Sequence, residues 1–273
     1  MERMTVTPTT IQEVLDTLDR IIEDAIKENS FLGIFAFVYR RVTAQIQREI
    51  ELQHFEDNER MEIFDVAFAS RYISAVRGYK NNQPVSQSWK IAFDCQQDNL
   101  TIIQHLMMSM NAHINLDLSM AASTAMKGKP ILDLKNDFEK INEILSGLTN
   151  EVQRKLGNVS KLTFILDWIG KNKDEKILDF SMKKARAFAW KNAVQLAALT
   201  EEEKPSRIDH IDNVVLELSK CIKTPRSKIV QFLLRVIQYF EEREVARIME
   251  GLQVEYEPLL SNVATSSQSN DSK

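Results

Sequence analysis

Residues 99–125 read NLTIIQHLMMSMNAHINLDLSMAASTA, a run with no Gly or Pro whose apolar side chains are too continuous for an alternating strand. The spacing predicts one long helix from Asn99, or Asp98, past Asp117 to about Ala125. Within it, Asn111-Ala112-His113-Ile114-Asn115-Leu116-Asp117-Leu118 sets an imidazole and a carboxylate four residues apart on an otherwise apolar element. At about 100° per residue, His113 and Asp117 lie roughly 40° apart and can touch or share a ligand. Asn111 and Asn115 fall near the opposite side. An apolar face excludes a charge unless it is paired, hydrogen-bonded or metal-bound. This stretch is therefore the leading candidate for a site.

The same helical spacing extends in both directions. A helix capped by Thr9 or Thr10 carries Ile11, Val14, Leu15, Leu18, Ile21, Ile22 and Ile26 on one face. A second is predicted over about 31–50, and a third puts Met61, Phe64, Asp65, Phe68, Tyr72 and Val76 on one stripe. Residues 78–88 read as a loop, after which Trp89 opens a short helix. Beyond the Gly128-Lys129-Pro130 break, helices are expected at about 132–156, 159–170, 174–199, 206–221 and 225–251. Strand-like alternation and fixed-period repeats are missing. The expected fold is all-α, a single-domain bundle of about nine or ten helices over 10–252, in which 206–252 can form a helical subdomain. Residues 1–9 and 253–273 are expected to be a disordered lead-in and tail.

Composition agrees with this outline. The chain has 273 residues, 44% apolar and 27% charged, which suits an ordinary globular core. Only 7 Gly and 6 Pro occur, favouring long elements over a many-turned β fold. A net charge of −4 gives no footprint for nucleic acid. No run approaches the length of a transmembrane helix, and the N-terminus carries no apolar signal segment. Cys95 and Cys221 stand far apart without metal-ligand spacing, as expected of reduced thiols in a cytoplasmic protein.

Several strings recur in a recognisable order: Tyr39-Arg40-Arg41-Val42-Thr43; Met61-Glu62-Ile63-Phe64-Asp65-Val66-Ala67-Phe68-Ala69-Ser70-Arg71-Tyr72; Trp89 with Phe93; and the motif at 111–118. Asp137-Phe138 with Ile141-Asn142, then Phe180, and Ala185-Arg186 with Ala189-Trp190 follow. In these the chain resembles, over roughly 30–195, a bacterial all-α family of unknown function marked by the N-A-H-I-N-x-D-L motif. The resemblance implies a fold but no activity, so residue roles rest on chemistry.

HxxxD on one helix offers a nitrogen and an oxygen ligand, as zinc and iron sites require, or an acid–base pair. Zinc-dependent phospholipases C use similar spacing, but their further histidines are missing from a chain with 4 His. Asp65 and Glu62 on the Met61–Tyr72 helix, and Asp137, are the candidates to complete a mixed site with His113 and Asp117, with Asp65 and Asp137 inward-facing by position. One histidine with three carboxylates suits a single divalent iron, manganese or magnesium ion better than zinc. The paired Glu-x-x-His signature of di-iron bundles is absent. Asn136-Asp137 opens like a terpene-synthase metal motif, but Lys140 and Ile144 stand where Ser and Glu are needed. Nucleophile elbows and phosphate-binding loops are absent too.

Arg186, among small and apolar neighbours, can clamp a ligand carboxylate or phosphate or neutralise a buried Asp. Asp65 can pair with Arg40, Arg71 or Arg186. His105 reads as a satisfied core histidine, and Glu241-Glu242-Arg243-Glu244 as a solvated helix face. The functional expectation is a small-molecule enzyme, with His113 and Asp117 catalytic and Tyr72, Asn115 and Arg186 contacting the substrate. The alternative is a non-catalytic binding or structural protein whose His–Asp pair only specifies packing. Oligomeric state is left open.

Overall fold

The computed structural model describes residues 7–145 and 182–253 and, among them, contains helices and no strand. Expectations for the 159–170 helix, Phe180, residues 1–6 and the tail beyond 253 lie outside the described residues. The elements are α1 (Ile11–Lys27), α2 (Leu32–Glu51), α3 (Asn58–Lys80), α4 (Gln87–Asp94), α5 (Ile102–Ala112), a π-helical turn (His113–Asp117) and α6 (Leu118–Ala125). After a 3-10 segment, α7 runs over 135–145. α8 (Met182–Ala198), α9 (Lys204–Lys223), α10 (Lys228–Phe240) and α11 (Val245–Gln253) follow. No described helix is long and apolar enough to cross a membrane.

Thr10 caps α1, accepting from the Glu13 amide, and the helix buries Val14, Leu18 and Ile21 against α2. The two helices approach closely at Gly33, where a Cβ would stand 2.4 Å from the Ala25 Cβ. No larger residue fits there without moving a backbone. α3 then crosses α1 and α2 and packs on α6, while α5 lies between α2, α4 and α9.

Two large apolar clusters stand out among the described residues, beside a smaller one of Leu116, Leu196, Ile211 and Val215. One gathers Leu18, Phe35, Tyr72, Trp89 and Met108 with Ile248 of α11. The other gathers Phe64, Ala121, Phe138 and Ala193 from α3, α6, α7 and α8. The π turn contacts α3, α8 and α9 as well as its flanking helices.

Helix ends are held across the chain by buried acids, which locate the elements around the turn. Asp212 of α9 accepts the Gln87 and Ser88 amides at 2.7 and 3.0 Å, fixing the start of α4. Asp137 of α7 accepts the Glu56 and Asp57 amides at 2.7 and 3.2 Å, just before α3. Glu241 accepts the Ile102 amide at 2.8 Å, at the start of α5. A carboxylate suits such sites because helix N-termini present unpaired N–H groups and the positive end of the helix dipole.

This overturns two expectations. The predicted 225–251 helix is two helices, α10 and α11. The run 241–244, expected as a solvated face, is the break between them: Glu241 is buried, and Glu242 accepts the Arg243 and Glu244 amides. Carboxylates that bind backbone amides here leave the helical path.

Candidate functional site

The expected long helix is interrupted at its motif. Thr101 and Gln104 form a capping box that starts α5, and regular helix gives way at His113 to a five-residue π turn. There the Leu118 amide donates to the His113 carbonyl, five residues back. Such turns are rare and recur at functional sites. Propensity gives no hint of this one, because every residue in the stretch is compatible with an ordinary helix.

The turn splits the motif between two environments. Asn115 donates to the Asn111 side-chain oxygen at 2.8 Å, and Asn111 donates to the Val215 carbonyl and the Ser219 hydroxyl. The asparagines therefore tie the turn to α9, and Asn115, expected to meet substrate, is instead spent on packing. His113 and Asp117 face the other way. Nδ1 of His113 lies 3.0 Å from Oδ2 of Asp117, and the Trp89 indole N–H donates to the same oxygen at 2.9 Å.

Around the His113 ring, Phe68 stacks at 3.8 Å and Tyr39 meets it edge-on at 4.5 Å. Phe35, Tyr72 and Trp89 complete an aromatic wall. His113 is 1% exposed, and its Nε2 has no hydrogen-bond partner among the described residues. Burial lowers its proton affinity, partly opposed by the Asp117 hydrogen bond and charge. A neutral ring donating from Nδ1 fits both facts.

Trp89 owes its place to α4, whose first amides are held by Asp212 and whose Ser86 cap accepts the Trp89 amide. The chain of support thus runs from α9 through α4 to the dyad. Trp89 stands in the sequence as a motif residue, but nothing there assigns its indole to Asp117.

A cleft of about 930 Å³ runs along the outer face of α3, lined by Ile63, Val66, Ala67, Ser70, Arg71 and Ser74 of that helix. Trp89, Leu116, Asp117 and Met120 form part of the opposite wall. Asp117 therefore lines the cleft, whereas His113 does not. Arg71 also lines it; burial lowers its proton affinity, and the charge of Asp117 opposes that lowering. A signal for this cleft exists in hindsight: Ala67, Ser70 and Ser74 put small residues along one edge of α3.

The remaining candidates do not join the dyad. Asp137 pairs with Arg60 at 2.6 Å besides holding the two backbone amides, so its oxygens are occupied. Asp65 is buried, its Oδ2 is unpartnered among the described residues, and burial raises its pKa to about 7. None of the expected arginines pairs with it: Arg40 binds Asp19, Arg71 reaches Met120 and Thr124, and Arg186 binds the Asn142 side chain and the Phe138 carbonyl.

Arg186 stacks over Phe138 and ties α8 to α7, and it pairs with no acid among the described residues. The Tyr72 hydroxyl faces the Leu32 carbonyl at 3.5 Å inside the core, and Tyr72 is not among the residues that line the cleft. His105 stacks near Phe31 with Nε2 unpartnered, so it is a core histidine but not a satisfied one.

Among the described residues, no three His, Cys, Asp or Glu side chains converge to hold a metal ion. The expected four-ligand set of His113, Asp117, Asp65 and Asp137 is thus not assembled. Burial of each was legible, but Asp137 serves Arg60 and two backbone amides, and Asp65 pairs with none of the expected arginines.

A family model matches residues 11–225, from the first residue of α1 to just beyond α9. The chain belongs to DUF5995, a family of unknown function. The match spans the dyad and the cleft-lining stretch of α3, while α10 and α11 lie beyond it. No curated protein and no solved structure matches the chain.

Proposed function

We propose that this protein binds a small molecule in the cleft along α3 and acts on it by acid–base chemistry at Asp117. The observation that carries the reading is that one carboxylate is held on a single oxygen by two N–H donors and also lines the cleft. Two donors on Oδ2 fix the rotamer, as a proton-transfer group needs, and the other oxygen is left to a molecule in the cleft. His113 then acts as a positioning residue behind Asp117. Its sealed ring keeps it from the substrate, which changes its expected role from catalytic to supporting.

A single divalent ion is the weaker form of this proposal. Of the four expected ligands only His113 and Asp117 adjoin, and they bond to each other. A cytoplasmic setting is supported by two free thiols, one of them exposed. The packing-only reading has an observation of its own, the complete enclosure of His113.

One experiment separates the two. The full chain is incubated with a metabolite mixture, and compounds that raise its melting temperature are tested for turnover. The expected result is a stabilising compound whose effect disappears in Ala67→Trp, which fills the cleft, and whose turnover disappears in Asp117→Asn. Turnover unchanged in Asp117→Asn overturns the chemistry. Stabilisation unchanged in Ala67→Trp overturns the site, and no stabilising compound favours the packing reading.

A further inference from the structure

We infer that Arg71 anchors an oxyanion, so that the cleft takes a small molecule with a carboxylate or phosphate head and an apolar body. The inference rests on the cleft reading above and names its ligand class.

Arg71 is half-buried in the cleft wall with poor partners. Its guanidinium reaches the Met120 thioether at 3.7 Å and the Thr124 hydroxyl at 3.3 Å, both long contacts. Five N–H donors in a fixed fork require more than this. Other arginines are better served: Arg60 meets Asp137 at 2.6 Å, Arg186 meets Asn142 at 2.7 Å, and Arg247 meets Glu244 at 2.8 Å. No ion pair among the described residues engages Arg71. Asp117 is near enough to act on its charge, yet its Oδ2 is already taken by Trp89 and His113. A planar fork with unfilled donors beside an apolar wall is the arrangement that receives a bidentate oxyanion.

The rest of the cleft sets the body of the ligand. Ile63, Val66 and Ala67 continue from Arg71 toward the start of α3 and present apolar or small surfaces. Of the acidic residues of the cleft, Asp117 stands near Arg71, with one oxygen held by Trp89 and His113, while Glu59 and Glu62 come last along α3. At about 1.5 Å per residue they lie roughly 14–18 Å from Arg71 along the helix, too far to oppose an anion there. Asp117, on the facing wall, meets a proton-bearing atom adjacent to the oxyanion, such as a hydroxyl or amine. The head group at Arg71 thus brings a transferable proton to the carboxylate.

Four probes of one chain length test the assignment: octanoate, octyl phosphate, octan-1-ol and octylammonium, titrated calorimetrically into the full chain at fixed ionic strength. Octanoate or octyl phosphate is expected to bind about ten-fold or more tightly than octan-1-ol, with octylammonium weakest. The tighter of the two anions identifies the oxyanion. Arg71→Met is expected to abolish this preference while keeping the octan-1-ol affinity, which also shows that the variant is folded. Equal binding of anion and alcohol, or a preference that survives Arg71→Met, overturns the anchor and leaves the cleft standing. Failure of all four probes, or binding that persists in Ala67→Trp, overturns the cleft reading and the anchor together.

Discussion

The indole N–H of Trp89 and the carboxylate of Asp117 meet at 2.9 Å across the gap between α4 and the π turn. The same oxygen faces His113 Nδ1 at 3.0 Å, so a residue of one helix and a residue of the turn jointly fix the carboxylate that lines the cleft. Trp89→Phe keeps an aromatic ring at this position and deletes this donor. A loss of about 1–3 kcal/mol is expected in urea denaturation, the magnitude of one charge-assisted hydrogen bond in a buried setting. An unchanged midpoint would show that the indole does not hold Asp117.

His113→Ala removes the second donor and empties an aromatic enclosure. The expected cost is about 3–5 kcal/mol, as for a buried pair broken on one side. His113→Gln retains a donor and is expected to lose less. Equal losses in the two variants would mean that the ring's packing, not its hydrogen bond, is what matters.

Asp65 is expected to give a pH dependence opposite to that of the histidines. Burial raises its pKa from 3.8 to about 7, so the folded state holds a proton that the unfolded state releases. Stability contributed by this group is present at low pH and falls as pH rises from about 4 to 7. At about 1.4 kcal/mol per unit the total is roughly 4 kcal/mol. His105, lowered from 6.5 to about 4, and His113, also lowered, stay neutral in the folded state and lose stability as pH falls below about 6.5. In Asp65→Asn the high-pH decline is expected to vanish and the low-pH decline to remain. Denaturation midpoints measured from pH 4 to 8 decide this, and parallel curves for the two proteins would refute it.

Asp137→Ala is expected to cost about 3–5 kcal/mol, because it strands Arg60 and two backbone amides. Any compound that binds the cleft should bind the variant with unchanged affinity at a temperature where it is folded. Weakened binding there would return Asp137 to the site.

Metal analysis of protein purified without a histidine tag is expected to give well under one ion per chain, with no change in melting temperature on adding a chelator. Stoichiometric metal lost together with stability would show that His113 and Asp117 open to a ligand set that their mutual hydrogen bond conceals.

What the sequence by itself determined follows from local periodicity. The faces of α1 and α3, a cap at Thr9 or Thr10 and the burial of the His113 stretch were all legible, because spacing of 3.6 residues and capping chemistry act within a few positions of one another. Tertiary structure alone decided what each buried acid does. Asp65, Asp117, Asp137, Asp212 and Glu241 are all buried. Asp137, Asp212 and Glu241 meet helix starts 80, 125 and 139 residues away in the chain, Asp65 meets no arginine, and Asp117 meets Trp89. A carboxylate's partner is set by which N–H groups the packed helices bring to it, and no local pattern carries that information. The π turn is of the same kind. At this turn α9 receives Asn111 while α4 receives Asp117, contacts that exist only once those helices have packed.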